Sequence, residues 1–302
     1  MRGDPIHGAP PPPPPRRRGS LLERAVERYG FQPGAGLRPM GPAPARQPDA
    51  AEPPPPPVPA RAPQPIDRAR LAERGMLVPG GPVSALAEEF RLVKRQLLLA
   101  AREGDAARSR SVLVCSAQPD EGKTFCSVNL ALSLAAERDL EVLLVDADFA
   151  KPDVPDTLGI SSGPGLLDAL ADPTIDVEGC IIPTDVPNLS VLPAGARSDN
   201  DTELLASDRA HALLQRLERA NPRRLMVFDS APVLAASTAA ALAEHVGQVL
   251  VVVRADRTSE SDLREAVALL DGCDTVQLLL NAVSLQPRGR RFGSYYEAEE
   301  EA

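Results

Sequence analysis

Only three lysines occur in this chain, Lys94, Lys123 and Lys151, and one of them stands in the triplet Gly122-Lys123-Thr124. The run before the triplet, Val112-Leu113-Val114-Cys115-Ser116-Ala117-Gln118-Pro119-Asp120-Glu121, passes from an apolar, strand-like stretch into a turn. A helical pattern follows. Such a strand, turn and helix start turns backbone N–H groups and the positive end of a helix toward phosphate oxygens. Gly122 allows close backbone approach, Lys123 reaches the β- and γ-phosphates, and the Thr124 hydroxyl offers a magnesium position. Pro119, Asp120, Glu121 and Phe125 complete the expected nucleotide-binding stretch, although the strict pattern wants glycine where Ala117 stands. The expected cofactors are ATP and Mg2+.

Two more strand-like runs end in carboxylates: Leu143-Leu144-Val145-Asp146-Ala147-Asp148 and Leu225-Met226-Val227-Phe228-Asp229. In open parallel sheets ligands sit at the carboxyl ends of strands, so these aspartates are expected to face the same phosphates. An aspartate there can also merely cap the next helix, but three coincident strand ends argue for a shared ligand. Phosphoryl transfer needs metal charge, positioned phosphates and an acceptor whose proton is taken up. Asp229 is expected to hold magnesium through water, and Asp146 or Asp148 to contact the metal or accept that proton; sequence does not divide these two roles. Lys123, Asp146, Asp148 and Asp229 form the expected catalytic set, with Thr124, Asp146 and Asp229 around the metal. Asn281 ends a last apolar run and either presents its amide to the adenine edge or forms a turn.

Elements able to place these groups are legible in the hydropathy pattern. Apolar runs at 112–115, 141–145, 189–192, 225–228, 248–253 and 276–280 predict strands buried on both faces. Helical patterns at 124–138, 202–219, 235–245 and 260–271 alternate with them, which implies a P-loop α/β fold, a mostly parallel sheet with helices on both faces. From Ser84 a helix is predicted with Leu86, Phe90, Val93, Leu97 and Leu98 on one side, preceding the sheet and packing on its flank.

Composition divides the 302 residues unevenly. About two thirds of the 33 prolines lie at or before Pro82, in runs that exclude helix interiors and central strands. Residues 1–81 are therefore expected to be a disordered arm, interrupted by a short helix near 20–30. The α/β domain is expected at 82–286 and an acidic tail at 287–302. The first eighty residues carry 12 arginines against 7 acids in a chain of net charge −9, so the folded part is acidic, which argues against nucleic acid as a partner. No apolar stretch approaches the roughly 20 residues of a membrane helix, and no signal-peptide core is visible. Four cysteines without Cys-x-x-Cys spacing fit reduced thiols of a cytoplasmic protein.

Taken together, Ser116 to Thr124, Leu143 to Asp148 and Val227 to Pro232 resemble the Walker A, A′ and B boxes of the bacterial tyrosine kinases of exopolysaccharide loci. The resemblance covers about residues 84 to 296. It is nearest to the separate autokinases encoded beside exosortase-type exopolysaccharide genes, which are similar in their proline-rich front and glycine-tyrosine tail. It implies an ATP- and Mg2+-dependent autokinase acting in trans on Tyr295 and Tyr296. It also implies self-assembly into a ring through a Glu-x-x-Arg-x-x-Arg pattern, here Glu88, Arg91 and Lys94. An inner-membrane chain-length determinant or polysaccharide co-polymerase is the implied partner, recruiting the chain to the inner face of the membrane. Departures are Phe149-Ala150-Lys151-Pro152 in place of arginines after the second aspartate, Asp120 in place of a loop glycine, and only two tail tyrosines. Lys151 offers a point charge at most as a substitute for the missing arginine.

Two other readings fit the fold. An ATPase switch of the MinD or ParA type normally carries a second lysine early in the loop, where this chain has Gln118. A nucleotide-binding scaffold of the polysaccharide machinery would bind ATP and transfer nothing.

Overall fold

A computed structural model describes residues 61–103 and 110–283. The arm before residue 61, its expected short helix, and the tail with Tyr295 and Tyr296 lie outside the described residues.

Among the described residues seven strands form one sheet: β1 (Ser111–Ser116), β2 (Glu141–Ala147), β3 (Ile182–Pro183), β4 (Leu189–Leu192), β5 (Arg224–Ser230), β6 (Gln248–Arg254) and β7 (Val276–Asn281). Their spatial order is β3-β4-β2-β5-β1-β6-β7, and every pairing is parallel except the short β3 against β4. The expected α/β class is therefore the observed one.

Because strand side chains alternate faces, each central strand feeds two cores. Leu113, Leu143, Val145, Phe228 and Val251 enter one cluster, and Val112, Val114, Leu144, Val227 and Val252 enter the other. Continuous apolar runs are what a sheet covered on both faces demands. Edge strand β7 departs from the expectation of two buried faces, since Leu278 and Leu280 are exposed.

Helix α1 (Arg68–Glu73) and helix α2 (Ala85–Glu103) precede the sheet. In α2, Phe90 and Leu97 are buried, and Phe90 tilts against Phe125 at 6.5 Å between ring centroids. Helix α3 (Lys123–Ala135) follows β1 and is buried along almost its whole length. Between β2 and β3 lie α4 (Val154–Leu158), α5 (Leu166–Ala171) and α6 (Val177–Cys180), none of which the hydropathy pattern predicts. Each spans at most two turns, too short to show a 3.6-residue period.

The predicted helix at 202–219 is two helices, α7 (Asp201–Leu205) and α8 (Asp208–Ala220). Ser207 breaks it: its hydroxyl accepts from Ala210 N at 3.2 Å and donates to Leu204 O at 2.6 Å, capping one helix while closing the other. Helices α9 (Thr238–Ala243) and α10 (Glu260–Ala268) complete the cover.

The start of the packed region differs from the expected 82. Gln64 bridges to Thr184, and the Ile66 N–H donates to Asp185 Oδ1 at 2.9 Å. Ile66, Leu71 and Met76 enter the same core as β1 and β2. Proline density hides this stretch, since only these few apolar side chains anchor it.

Candidate functional site

The turn after β1 adopts left-handed backbone at Asp120 (φ 62°) and Gly122 (φ 96°), and Gly122 is the N-cap of α3. Asparagine and aspartate tolerate this region better than other residues with a side chain, which is how Asp120 stands where the resemblance expects glycine. Around the turn lies a cleft of about 490 Å³, lined by Pro119, Asp120, Gly122, Lys123, Thr124, Phe125 and Asp148 among others. A larger hollow of about 580 Å³ between α2 and α3 has no carboxylate and no strand end in its lining, so the capacity for phosphate chemistry belongs to the smaller one.

Strand order brings the carboxylates to this cleft. In β2 and β5, Asp146 and Asp229 are direct register partners, hence about 4.8 Å apart along the sheet. Asp229 is almost fully buried; its Oδ2 accepts from Thr124 Oγ1 at 2.7 Å and its Oδ1 from Ser127 Oγ at 2.9 Å. Asp146 accepts from the backbone N–H of Val154 at 3.0 Å and of Asp148 at 3.3 Å. Burial, reinforced by the charge of Asp229, pushes Asp146 up to about 8. Burial also raises Asp229, to about 6, against the opposing hydrogen bonds from Thr124 and Ser127.

Two desolvated carboxylates beside a threonine hydroxyl are the hard oxygen donors that suit Mg2+. Among the described residues no group of three or more His, Cys, Asp or Glu could hold a metal. Mg2+ needs no such cage, because it keeps several waters and takes substrate phosphates as ligands. The donor set therefore fits magnesium held with a nucleotide. Thiol chemistry is a poor alternative: burial pushes Cys115 and Cys126 up to about 12, leaving both unreactive.

A pH dependence follows from the two raised values. Both lie above the ordinary carboxylate pKa, so between about pH 4 and about pH 8 the metal-free folded chain binds more protons than the unfolded chain and loses stability as pH rises. Their effect on stability is absent below about pH 4 and is complete above about 6 for Asp229 and about 8 for Asp146. Asp229→Asn removes one ionisation. Its amide keeps the pocket filled, with Ser127 donating to Lys123 O, already 3.0 Å away, and accepting from the new NH2. In EDTA the variant should melt above the parent at pH 8 by about 3 °C or more and near the parent at pH 4, while losing Mg2+-dependent activity. Equal melting differences at the two pH values would contradict the assignment.

The outer strands brace the loop. Arg254 Nη1 donates to Asp120 O at 2.7 Å, and Asn281 Nδ2 donates to Glu121 O at 2.9 Å. The buried Glu121 carboxylate accepts from Gln118 N at 2.9 Å and from the Thr258 hydroxyl. Glu121, expected to touch nucleotide, is turned into the loop. The Asn281 amide, weighed as an adenine contact or a turn residue, here binds the loop through Nδ2 and Ala282 N through Oδ1.

Sequence reasoning passed over Ser127, Arg254 and Thr258. Ser127 lies three residues beyond Thr124, on the same helix face, so its place was inferable. Arg254 and Thr258 gave no signal, because their approach depends on β6 lying beside β1.

Glu88, Arg91 and Lys94 lie apart from the cleft. Glu88 and Arg91 pair with each other on α2. Lys94 is engaged within the chain, 2.6 Å from Glu137 and 3.0 Å from Ser133 O. No helix among the described residues is long and apolar enough to cross a membrane.

A model of the AAA domain family matches residues 114–281, which run from β1 to the end of β7. The solved VpsO kinase domain is 33% identical, with 63% of this chain and 98% of that one covered at a TM-score of 0.51. This chain belongs to the AAA domain family, among the bacterial tyrosine kinases. The kinase domain of the Escherichia coli tyrosine kinase ETK is 25% identical over 77% of this bacterial tyrosine kinase and 86% of that domain, at a TM-score of 0.61. The tyrosine-protein kinase wzc of Salmonella typhimurium is 28% identical over 76% of this chain. The chain spans only 31% of that relative's length.

Proposed function

We propose that this chain is an ATP- and Mg2+-dependent tyrosine autokinase that phosphorylates Tyr295 and Tyr296 of a neighbouring copy and so regulates exopolysaccharide chain length, polymerisation or export. The observation that carries the reading is the register pairing of Asp146 with Asp229, with Thr124 bonded to one of them at the mouth of the Lys123 loop.

In this reading Lys123 and the N–H groups of the 120–124 turn hold the β- and γ-phosphates in line with the incoming hydroxyl. Thr124, Asp229 and Asp146 would hold magnesium, which offsets charge on the phosphoryl oxygens when bound. Asp148 lines the cleft whereas Asp146 is fully buried behind it. That difference favours Asp148 as the group that accepts the tyrosine proton.

The chain is then a basic arm, a kinase domain and an acceptor tail. Glu88, Arg91 and Lys94 contribute to ring assembly, and an inner-membrane polysaccharide co-polymerase recruits and activates the kinase. Each tail phosphate adds about −1.5 to −2 charge beside Glu297 and Glu299, which favours ring disassembly.

Mass spectrometry of the tail after incubation with MgATP tests the proposal. Phosphate is expected on Tyr295 and Tyr296, and none after Lys123→Met. A Tyr295→Phe/Tyr296→Phe double variant should lose nearly all phosphotyrosine yet still hydrolyse ATP, and its assemblies should no longer dissociate with ATP. Unchanged phosphotyrosine in that variant would refute the acceptor assignment; ATP turnover with no phosphotyrosine in the parent would favour a switch ATPase.

A further inference from the structure

The rim of the cleft formed by the turn after β2 carries a cation that the described residues leave unengaged. Lys151 lines the cleft together with Lys123 and Asp148. Its backbone N–H donates to Asp148 O and to Asp148 Oδ1, each at 3.1 Å, so its position relative to Asp148 is set by the turn and not by a flexible loop. Among the described residues no ion pair or hydrogen bond engages its ammonium, whereas Lys94 is paired with Glu137. Asp153, on the same rim, is already shared by Arg74 at 3.5 Å and Thr157 at 3.1 Å.

The other ionisable groups lining the cleft are Lys123, Asp120 and Asp148, and Asp146 and Asp229 lie at the neighbouring strand ends. Lys123 belongs to the phosphates. With Arg74 held by Asp153 and Asp156 and Arg254 by the Asp120 carbonyl, Lys151 is, among the described residues, the unengaged cation lining the cleft beside Asp120, Asp148 and Asp153. The chain's own acceptor segment reads Tyr295-Tyr296-Glu297-Ala298-Glu299-Glu300-Glu301. Such a segment would be repelled unless a positive group received it.

We infer that Lys151 is a specificity-determining residue whose ammonium receives glutamate just C-terminal to the acceptor, so that the cleft selects tyrosine peptides followed by acidic residues. This rests on the tyrosine-kinase reading and names the substrate class of that site.

The test uses the full-length protein with MgATP and three peptides: Gly-Ser-Tyr-Tyr-Glu-Ala-Glu-Glu-Glu-Ala, a copy with glutamine for every glutamate, and a copy with lysine. The parent should favour the acidic peptide in kcat/KM by about 1.4- to fivefold, the range expected for an exposed charge pair. Lys151→Gln should erase the preference and Lys151→Glu should turn it toward the lysine peptide, both with KM for ATP unchanged. The same preference in all three proteins overturns the inference. So does a raised KM for ATP with the preference intact, which would assign Lys151 to the phosphates.

Anisotropy of the fluorescein-labelled peptides, with a non-hydrolysable ATP analogue present, reads docking without transfer. Charge-dependent docking that follows Lys151 while no tyrosine is phosphorylated would keep the inferred contact and sink the kinase reading. Phosphorylation indifferent to charge would sink this inference alone.

Discussion

Lys123→Met should lower MgATP-dependent tyrosine phosphorylation by about 100-fold or more while leaving the fold intact. Two features of Lys123 separate those outcomes. It starts α3 directly after the left-handed Gly122, where the helix end and the loop converge, so its charge acts where the triphosphate carries most of its own. Its side chain is largely buried, and methionine replaces the aliphatic stem with similar volume, a swap that cores tolerate. Nucleotide affinity measured by calorimetry should fall with activity, and the thermal midpoint of the metal-free protein should stay near the parent's. Wild-type activity in this variant would remove the basis for assigning phosphoryl transfer to this loop.

Gly165→Ala is expected to destabilise the domain by about 3 kcal/mol or more without touching the cleft. The backbone at Gly165 is extended (φ −142°), so conformational strain is not the cause; space is. At the start of α5 the N–H of Leu166 donates to Pro193 O and that of Leu167 to Ala194 O, both at 2.9 Å. These bonds draw the helix start onto the backbone leaving β4. A methyl group at 165 would overlap Pro193 O and Gly195 N and lie 2.5 Å from the Pro193 carbonyl carbon. Those are backbone atoms and cannot swing aside. Relief requires lifting α5, which would expose Leu166, Leu167 and Leu170 from the core they share with β2. Urea unfolding of parent and variant measures the difference, and a loss under about 1 kcal/mol would show that this contact yields easily.

The phosphate loop, the carboxylate-tipped strands and the α/β class were legible because each is a local pattern. Apolar runs of five or six residues declare buried strands, and a glycine, a lysine and a hydroxyl between strand and helix declare a loop for phosphates. Short elements were not legible. α4, α5 and α6 complete too few turns to show a period, and β3 spans two residues. The segment holding Ile66, Leu71 and Met76 was misread as arm because composition averages over a window, while packing depends on single side chains.

Sequence alone determined that this chain has a nucleotide loop and that Asp146 and Asp229 end strands, since strand ends and turn chemistry depend on near neighbours along the chain. Tertiary structure decided that those aspartates stand side by side, because β5 inserts between β2 and β1. It likewise decided that Arg254, Thr258 and Asn281 reach across to hydrogen-bond the loop. Strand order is settled by how crossover helices pack on the two faces of the sheet, a global property that no local run of residues records.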